Sequence, residues 1–152
     1  MKTQSLKARF IGGAGHALDA RLESPVDTPL AYAVASHCFT CSKDTITVFR
    51  ISRLLAMQGV AVLRFDFTGL GNSAGDFAQS NFTADVADVK AAVDYLREHY
   101  AAPSLLIGHS LGGTAMLEAA IESEGVKAIV SIAARSQPAG VLHLVGQAVT
   151  VL

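Results

Sequence analysis

The sequence predicts an α/β domain built on a doubly wound, mostly parallel sheet, and three observations carry that reading. Apolar runs of strand length, LAYAVAS at 30–36, VAVLRF at 60–65, SLLIGH at 104–109 and VKAIVSI at 126–132, are nearly continuous, as expected of strands buried on both faces. Segments with helical spacing separate them, so parallel strands joined by right-handed crossovers are the economical solution. A serine set among glycines, GHSLGG at 108–113, links one of these strands directly to the next helix.

Taken in order, Lys7 to Ile11 and Leu18 to Glu23 read as short strands separated by the turn GGAGH, and SPVDTP at 24–29 is a second turn before the strand at 30–36. Ser42 or Asp44 is placed to cap a helix running to about Met57, with Ile51, Leu54 and Leu55 on one side and Gly59 after its end. The strand Val60 to Phe65 is apolar apart from Arg64. GLGNSAGD breaks the pattern, after which Ser80 or Asn81 caps a long helix to Tyr100 whose Phe82, Val86, Val89, Val93 and Leu96 share one face. Asp85, Asp88 and Glu98 are read as its solvated side. Pro103 precedes the strand leading to the serine, and the helix opened by Leu111 runs to about Ser123.

The tail beyond Arg135 holds no Asp, Glu, Lys or Arg, and helical spacing would put Leu142, Val145, Val149 and Leu152 on one stripe. Such a stripe needs a cover. Residues 1–152 are therefore expected to form a single, incomplete domain, covered by further sequence or by a second copy.

Composition narrows the class. At 152 residues the chain suits one domain that removes roughly 70% of its unfolded surface from water. With 51% apolar and 16% charged residues it is not disordered. Twelve Lys and Arg against 13 Asp and Glu, with no basic run, argue against nucleic-acid partners. No apolar run reaches the roughly 18 residues of a membrane span, and the N-terminus has no signal-peptide pattern, so a cytoplasmic location is the expectation. No cofactor is expected: GLGNSAG lacks the spacing and the directly following helix of a dinucleotide fingerprint. No metal is expected either, since Cys38, Cys41 and the adjacent His37 leave a zinc site one ligand short. The C-x-x-C spacing also admits a thiol redox module, against the plainer reading of two partly buried loop cysteines.

A serine at a sharp strand-to-helix turn stands clear of the sheet as a nucleophile elbow, and small neighbours relieve the crowding. Ser110 is the candidate nucleophile, Gly108 and Gly112 supply the relief, and Gly113 permits close approach of the helix. Acyl transfer also needs donors for the developing oxyanion. The backbone N–H of Leu111 is one, and the N–H of Phe39, in the loop SHCFTCSKD, is the best candidate for the other.

With these residues in place the chain resembles the α/β-hydrolase superfamily. ASHCFTCSKD, VAVLRFDFTGLGNSAGDF and LLIGHSLGGTAMLEAA look like the hydrolase part of bacterial proteins that fuse such a domain to an OsmC-like peroxide-reducing domain. The resemblance runs from about Phe10 to Ala148. It implies an esterase-like serine hydrolase acting on a small ester, with His37 and Phe39 at the family's histidine and oxyanion-donor positions and Cys38 where a glycine is usual. Asp66, Gly69 and Gly71 would shape the loop after the fourth strand, with Asp66 structural rather than catalytic. The family's triad runs serine, acid, histidine. After Ser110 the acids are Glu118, Glu122 and Glu124, on or just beyond the elbow helix, and the only histidine is His143 in the apolar tail. None suits the acid or base role. The alternative expectation is thus a truncated hydrolase, weakly active or inactive until further sequence or a partner subunit completes it.

Overall fold

The computed structural model describes residues 1–38, 40–134 and 149–151. Seven strands, β1 (Thr3–Ile11), β2 (Ala17–Pro25), β3 (Ala31–Ser36), β4 (Val60–Phe65), β5 (Leu105–His109), β6 (Ala128–Ile132) and β7 (Val149–Val151), form one sheet in the order β1-β2-β4-β3-β5-β6-β7. The β1–β2 hairpin is antiparallel and joins β4 antiparallel, whereas β4, β3, β5, β6 and β7 are mutually parallel. Among the described residues three α-helices follow the parallel strands: α1 (Ile46–Met57), α2 (Phe82–His99) and α3 (Leu111–Ala120). The doubly wound α/β reading holds.

Side-chain alternation sorts the apolar strands onto two cores. Val34, Leu63, Phe65 and Leu106 face α2 and α3, where they meet Val86, Val89, Val93, Leu96 and Met116. Ala33, Ala35, Val62 and Ile107 face α1 and meet Val48, Ile51 and Leu55. The hairpin extends the first core through Phe10, Leu18 and Leu22. Among the described residues no helix is long and apolar enough to cross a membrane.

Several local expectations change. β1 begins at Thr3 and β2 continues through Pro25, because the two pair over their whole length, Thr3 opposite Pro25 to Ile11 opposite Ala17. The N-cap of α1 is Thr45, since Ser42 and Thr45 close a turn on each other through Thr45 Oγ1–H···O=C of Ser42 at 2.6 Å. Leu54 points outward at 61% exposure, and the buried face is Val48, Ser52 and Ala56. At α2 the cap is Asn81, whose Oδ1 accepts from the Ala84 amide at 2.9 Å. α3 stops at Ala120 in a turn rather than reaching Ser123. Val149 belongs to a strand, not a helical stripe; the β-branched run Val149, Thr150, Val151 suits a pleated edge and pairs with β6. Leu142, Val145 and Leu152 lie outside the described residues.

Candidate active site

In parallel sheets the loops beyond the strand C-termini gather at one edge, where ligands bind. Here that edge collects the loop after β3 (37–45), the loop after β4 (66–81) and the turn from β5 into α3.

Ser110 forms that last turn with φ 55 and ψ −120, an unfavourable conformation for a residue bearing a Cβ. Three backbone bonds hold it. Its own N–H donates to Ile132 O at 2.8 Å, tying the turn to the end of β6, and its carbonyl accepts from Gly113 at 3.0 Å and Thr114 at 3.3 Å in the first turn of α3. The side chain is half-buried, and the Leu111 amide is the first of the helix. A Cβ on Gly108 would stand 2.4 Å from Gly112 O and from the backbone N and Cα of Gly113. One on Gly112 would stand 2.4 Å from His37 O and 2.6 Å from Ser36 Oγ. α3 can therefore lie against β5 and the loop after β3 only if these two positions lack side chains. Ser36 Oγ and Ser131 Oγ are buried against this turn without a hydrogen-bond partner among the described residues.

The loop after β3 is built by polar bonds instead. His37 is fully buried, with Nδ1 at 2.7 Å from Cys38 O and Nε2 accepting from the Phe67 amide at 3.2 Å. That pairing fixes the neutral Nδ1–H tautomer, and burial lowers its pKa from the ordinary imidazole value. Acidification must break the Phe67 bond to protonate the ring. Cys38 and Cys41 are both half-buried in this loop and are joined by a disulfide. Thr40 between them adopts φ 58. Phe39 lies outside the described residues.

Beyond the disulfide, Lys43 is 2% exposed, its N–H bound to Asp66 Oδ1 at 2.6 Å and its Nζ to Asp66 at 2.9 Å and Asp19 at 2.7 Å. Burial alone would lower the Lys43 pKa, but the bonds to Asp19 and Asp66 outweigh it and hold the ammonium above its usual value. Asp66 also accepts from the Asn72 amide at 3.0 Å, so it is the structural loop anchor that the family resemblance implied. Arg64 continues the cluster through Glu23 at 2.8 Å and Asp44 at 2.6 Å, with its guanidinium carbon 5.2 Å from the Phe49 ring centroid. Burial would raise Asp44, yet the Arg64 and Lys43 contacts bring it below the usual carboxylate range.

Apart from Asp66, sequence reasoning missed this cluster. Arg64, a lone cation in an apolar strand, was its one visible signal. It also misread Asp88, which is fully buried rather than solvated and accepts from Thr68 N at 2.9 Å, Thr68 Oγ1 at 2.7 Å and Gly13 N at 3.1 Å. Its position four residues before the buried Ala92 was the available clue. Asp85, one turn earlier, is pushed up to about 6 by burial and by the charge of Asp88. Glu98 is exposed as expected.

Among the described residues, no other acid or histidine bonds to Ser110. Glu122 pairs with Lys90 on the surface, and Glu124 offers only its carbonyl to Arg97. His109 follows Ile107 in the strand alternation, onto the α1 side of the sheet. His143 lies outside the described residues. No group of three or more His, Cys, Asp or Glu able to hold a metal occurs among the described residues.

The geometry has known counterparts. The chain is 41% identical over 96 residues to the mouse mitochondrial palmitoyl-protein thioesterase ABHD10, covering 62% of this chain and 31% of that one. It is 30% identical over 118 residues to human monoglyceride lipase, covering 76% and 38% respectively. The crystal structure of an esterase domain from Rhodothermus marinus superposes with a TM-score of 0.72 at 48% identity, over 90% of this chain and 55% of that domain. The chain thus spans about a third of the length of these two curated relatives. A family model described as serine aminopeptidase, S33, matches residues 45–150, and the chain therefore belongs to that family within the α/β-hydrolase superfamily.

Proposed function

We propose that this chain carries the nucleophile half of a serine hydrolase that cleaves carboxylic esters, with Ser110 as nucleophile. The observation that carries the reading is the backbone of Ser110, held at φ 55 between β5 and α3 by the Ile132, Gly113 and Thr114 bonds. Strain of this kind, of order 1–3 kcal/mol, persists only where surrounding structure over-determines it, and it concentrates at functional turns. The Leu111 N–H is the first oxyanion donor and the Phe39 N–H the second. Ser110 Oγ attacks the acyl carbon, the alcohol departs with the serine proton, and water cleaves the acyl-enzyme to release the acid. A thioesterase, a lipase and an esterase among the relatives support an acyl substrate.

Both steps need a general base, and no imidazole or carboxylate bonds Ser110 among the described residues. The triad acid and histidine come from sequence outside the described residues or from a second copy of the chain. Catalysis of roughly a thousandfold over water can survive loss of a triad member. The test is hydrolysis of short p-nitrophenyl esters by the 152-residue chain beside its Ser110→Ala variant. A faster wild type supports the reading, and equal rates sink it. Activity rising faster than linearly with protein concentration would mark a base donated by a second copy.

A further inference from the structure

We propose that the Cys38–Cys41 disulfide is a reversible thiol switch in the loop that packs against the Ser110 elbow, opened by a small dithiol. The inference rests on the assignment of Ser110 and of the 37–43 loop given above. Both sides of this loop are anchored independently of the disulfide. Upstream, His37 is buried and bonded to Phe67, and its carbonyl packs against Gly112 of the elbow. Downstream, the Lys43 amide and ammonium are fixed to Asp66. Between the anchors the turn is closed by the Cys41 N–H···O=C Cys38 bond at 3.1 Å and by the disulfide, around a Thr40 in the left-handed region. A non-glycine residue there reverts to a commoner conformation when its constraint is released.

Ser42 stays tied to Thr45, so opening the bridge frees the turn between Cys38 and Cys41 and leaves the strands in place. The freed turn begins at Cys38, whose carbonyl stands 2.7 Å from His37 Nδ1, and the His37 carbonyl lies against Gly112 of the elbow, so the change reaches the Ser110 turn. Both cysteines are half-buried and Thr40 between them is exposed, so a small thiol has a path to the sulfurs. One thiolate of the dithiol attacks one cysteine sulfur, breaking the protein S–S bond, forming a mixed disulfide and releasing the other cysteine as thiolate. The second reductant thiol then displaces the first cysteine. The reductant leaves as its disulfide, the protein gains two electrons, and two protons complete two thiols.

The experiment follows three readouts on the native 152-residue chain equilibrated with dithiothreitol at graded reduced-to-oxidised ratios. Alkylation and intact mass count released thiols, which can come only from Cys38 and Cys41 because the chain has two cysteines. Amide exchange by NMR is expected to speed up about tenfold at Cys41 on reduction, while the Lys43 amide and those of β4 keep their protection. Labelling of Ser110 by a fluorophosphonate, referenced to Ser110→Ala, is expected to slow about tenfold on reduction, equivalent to about 1.4 kcal/mol, and to recover on reoxidation. The double variant Cys38→Ser/Cys41→Ser should label at the slow rate with or without dithiothreitol. Thiols appearing only as β4 loses protection would overturn the switch, as would labelling that is present but indifferent to redox state. Labelling absent from wild type and Ser110→Ala alike would instead remove the Ser110 reading, and the switch with it.

Discussion

The two loops that meet at the strand C-termini are made rigid by opposite means. The loop after β3 is held by charge, hydrogen bonds and a covalent link: Lys43 to Asp66 and Asp19, His37 to Phe67, Cys38 to Cys41. Among the described residues the elbow has no side-chain hydrogen bond to its turn, and it is held by backbone bonds and by the lack of side chains at Gly108 and Gly112. The first arrangement depends on partners being present, the second on atoms being absent. They should therefore fail differently, the first by stranding a buried charge and the second by steric overlap.

The largest effect is expected at Asp66→Ala, which leaves the buried Lys43 ammonium short of a partner and should cost about 3–5 kcal/mol in urea unfolding. Asp66→Asn, which keeps the shape but not the charge, should recover part of it. Gly108→Ala should cost about 2–3 kcal/mol by the same measurement, because its Cβ meets backbone rather than a movable side-chain end. If Gly108→Ala proved neutral, the steric account of the elbow would fail. Ser110→Gly has the opposite sign: relieving φ 55 should stabilise the fold by about 1 kcal/mol while abolishing any Ser110-dependent turnover.

Asp85 gives a pH test of the neighbouring α2 anchor. Its pKa is raised to about 6 in the fold, so between its ordinary value of 3.8 and about 6 the folded state binds more protons than the unfolded state. Stability from this group is present below pH 3.8 and is lost as pH rises through 6. Asp85→Asn should therefore be more stable than wild type at pH 7, by at most about 1 kcal/mol after solvent screening, with the gap closing near pH 4. The smallest change is expected at the surface pair: Lys90→Ala, removing the contact with Glu122, should move stability by no more than about 1 kcal/mol.

What could be read from the sequence follows from how local each signal is. The limits of β4 and, as one of two candidates with Ser80, the Asn81 cap of α2 were legible because an apolar run and a capping side chain act within a few residues. The strand–serine–helix turn was legible for the same reason. Lys43, Asp19 and Glu23 were not, because their role exists only once β2 lies beside β4 and the loop after β3 folds over that pair. Asp88 was misread because a polar residue on a helix is solvated by default, and only the distant Gly13 and Thr68 amides reverse that. The disulfide was one of two open readings of C-x-x-C, since spacing alone does not say whether the chain turns back between the cysteines.

The sheet order has a consequence for how the molecule comes to exist. β3 sits between β4 and β5, yet β5 arrives about 70 residues later in the chain, after all of α2. One flank of β3 therefore stays unpaired through synthesis until Leu105–His109 docks, and parallel pairings at such separation form slowly. During that interval the Ala31–Ser36 edge is open to strands of other chains. Ser110 reaches its place only when that gap closes, so the step that protects the nascent chain from aggregation is the same step that positions its serine.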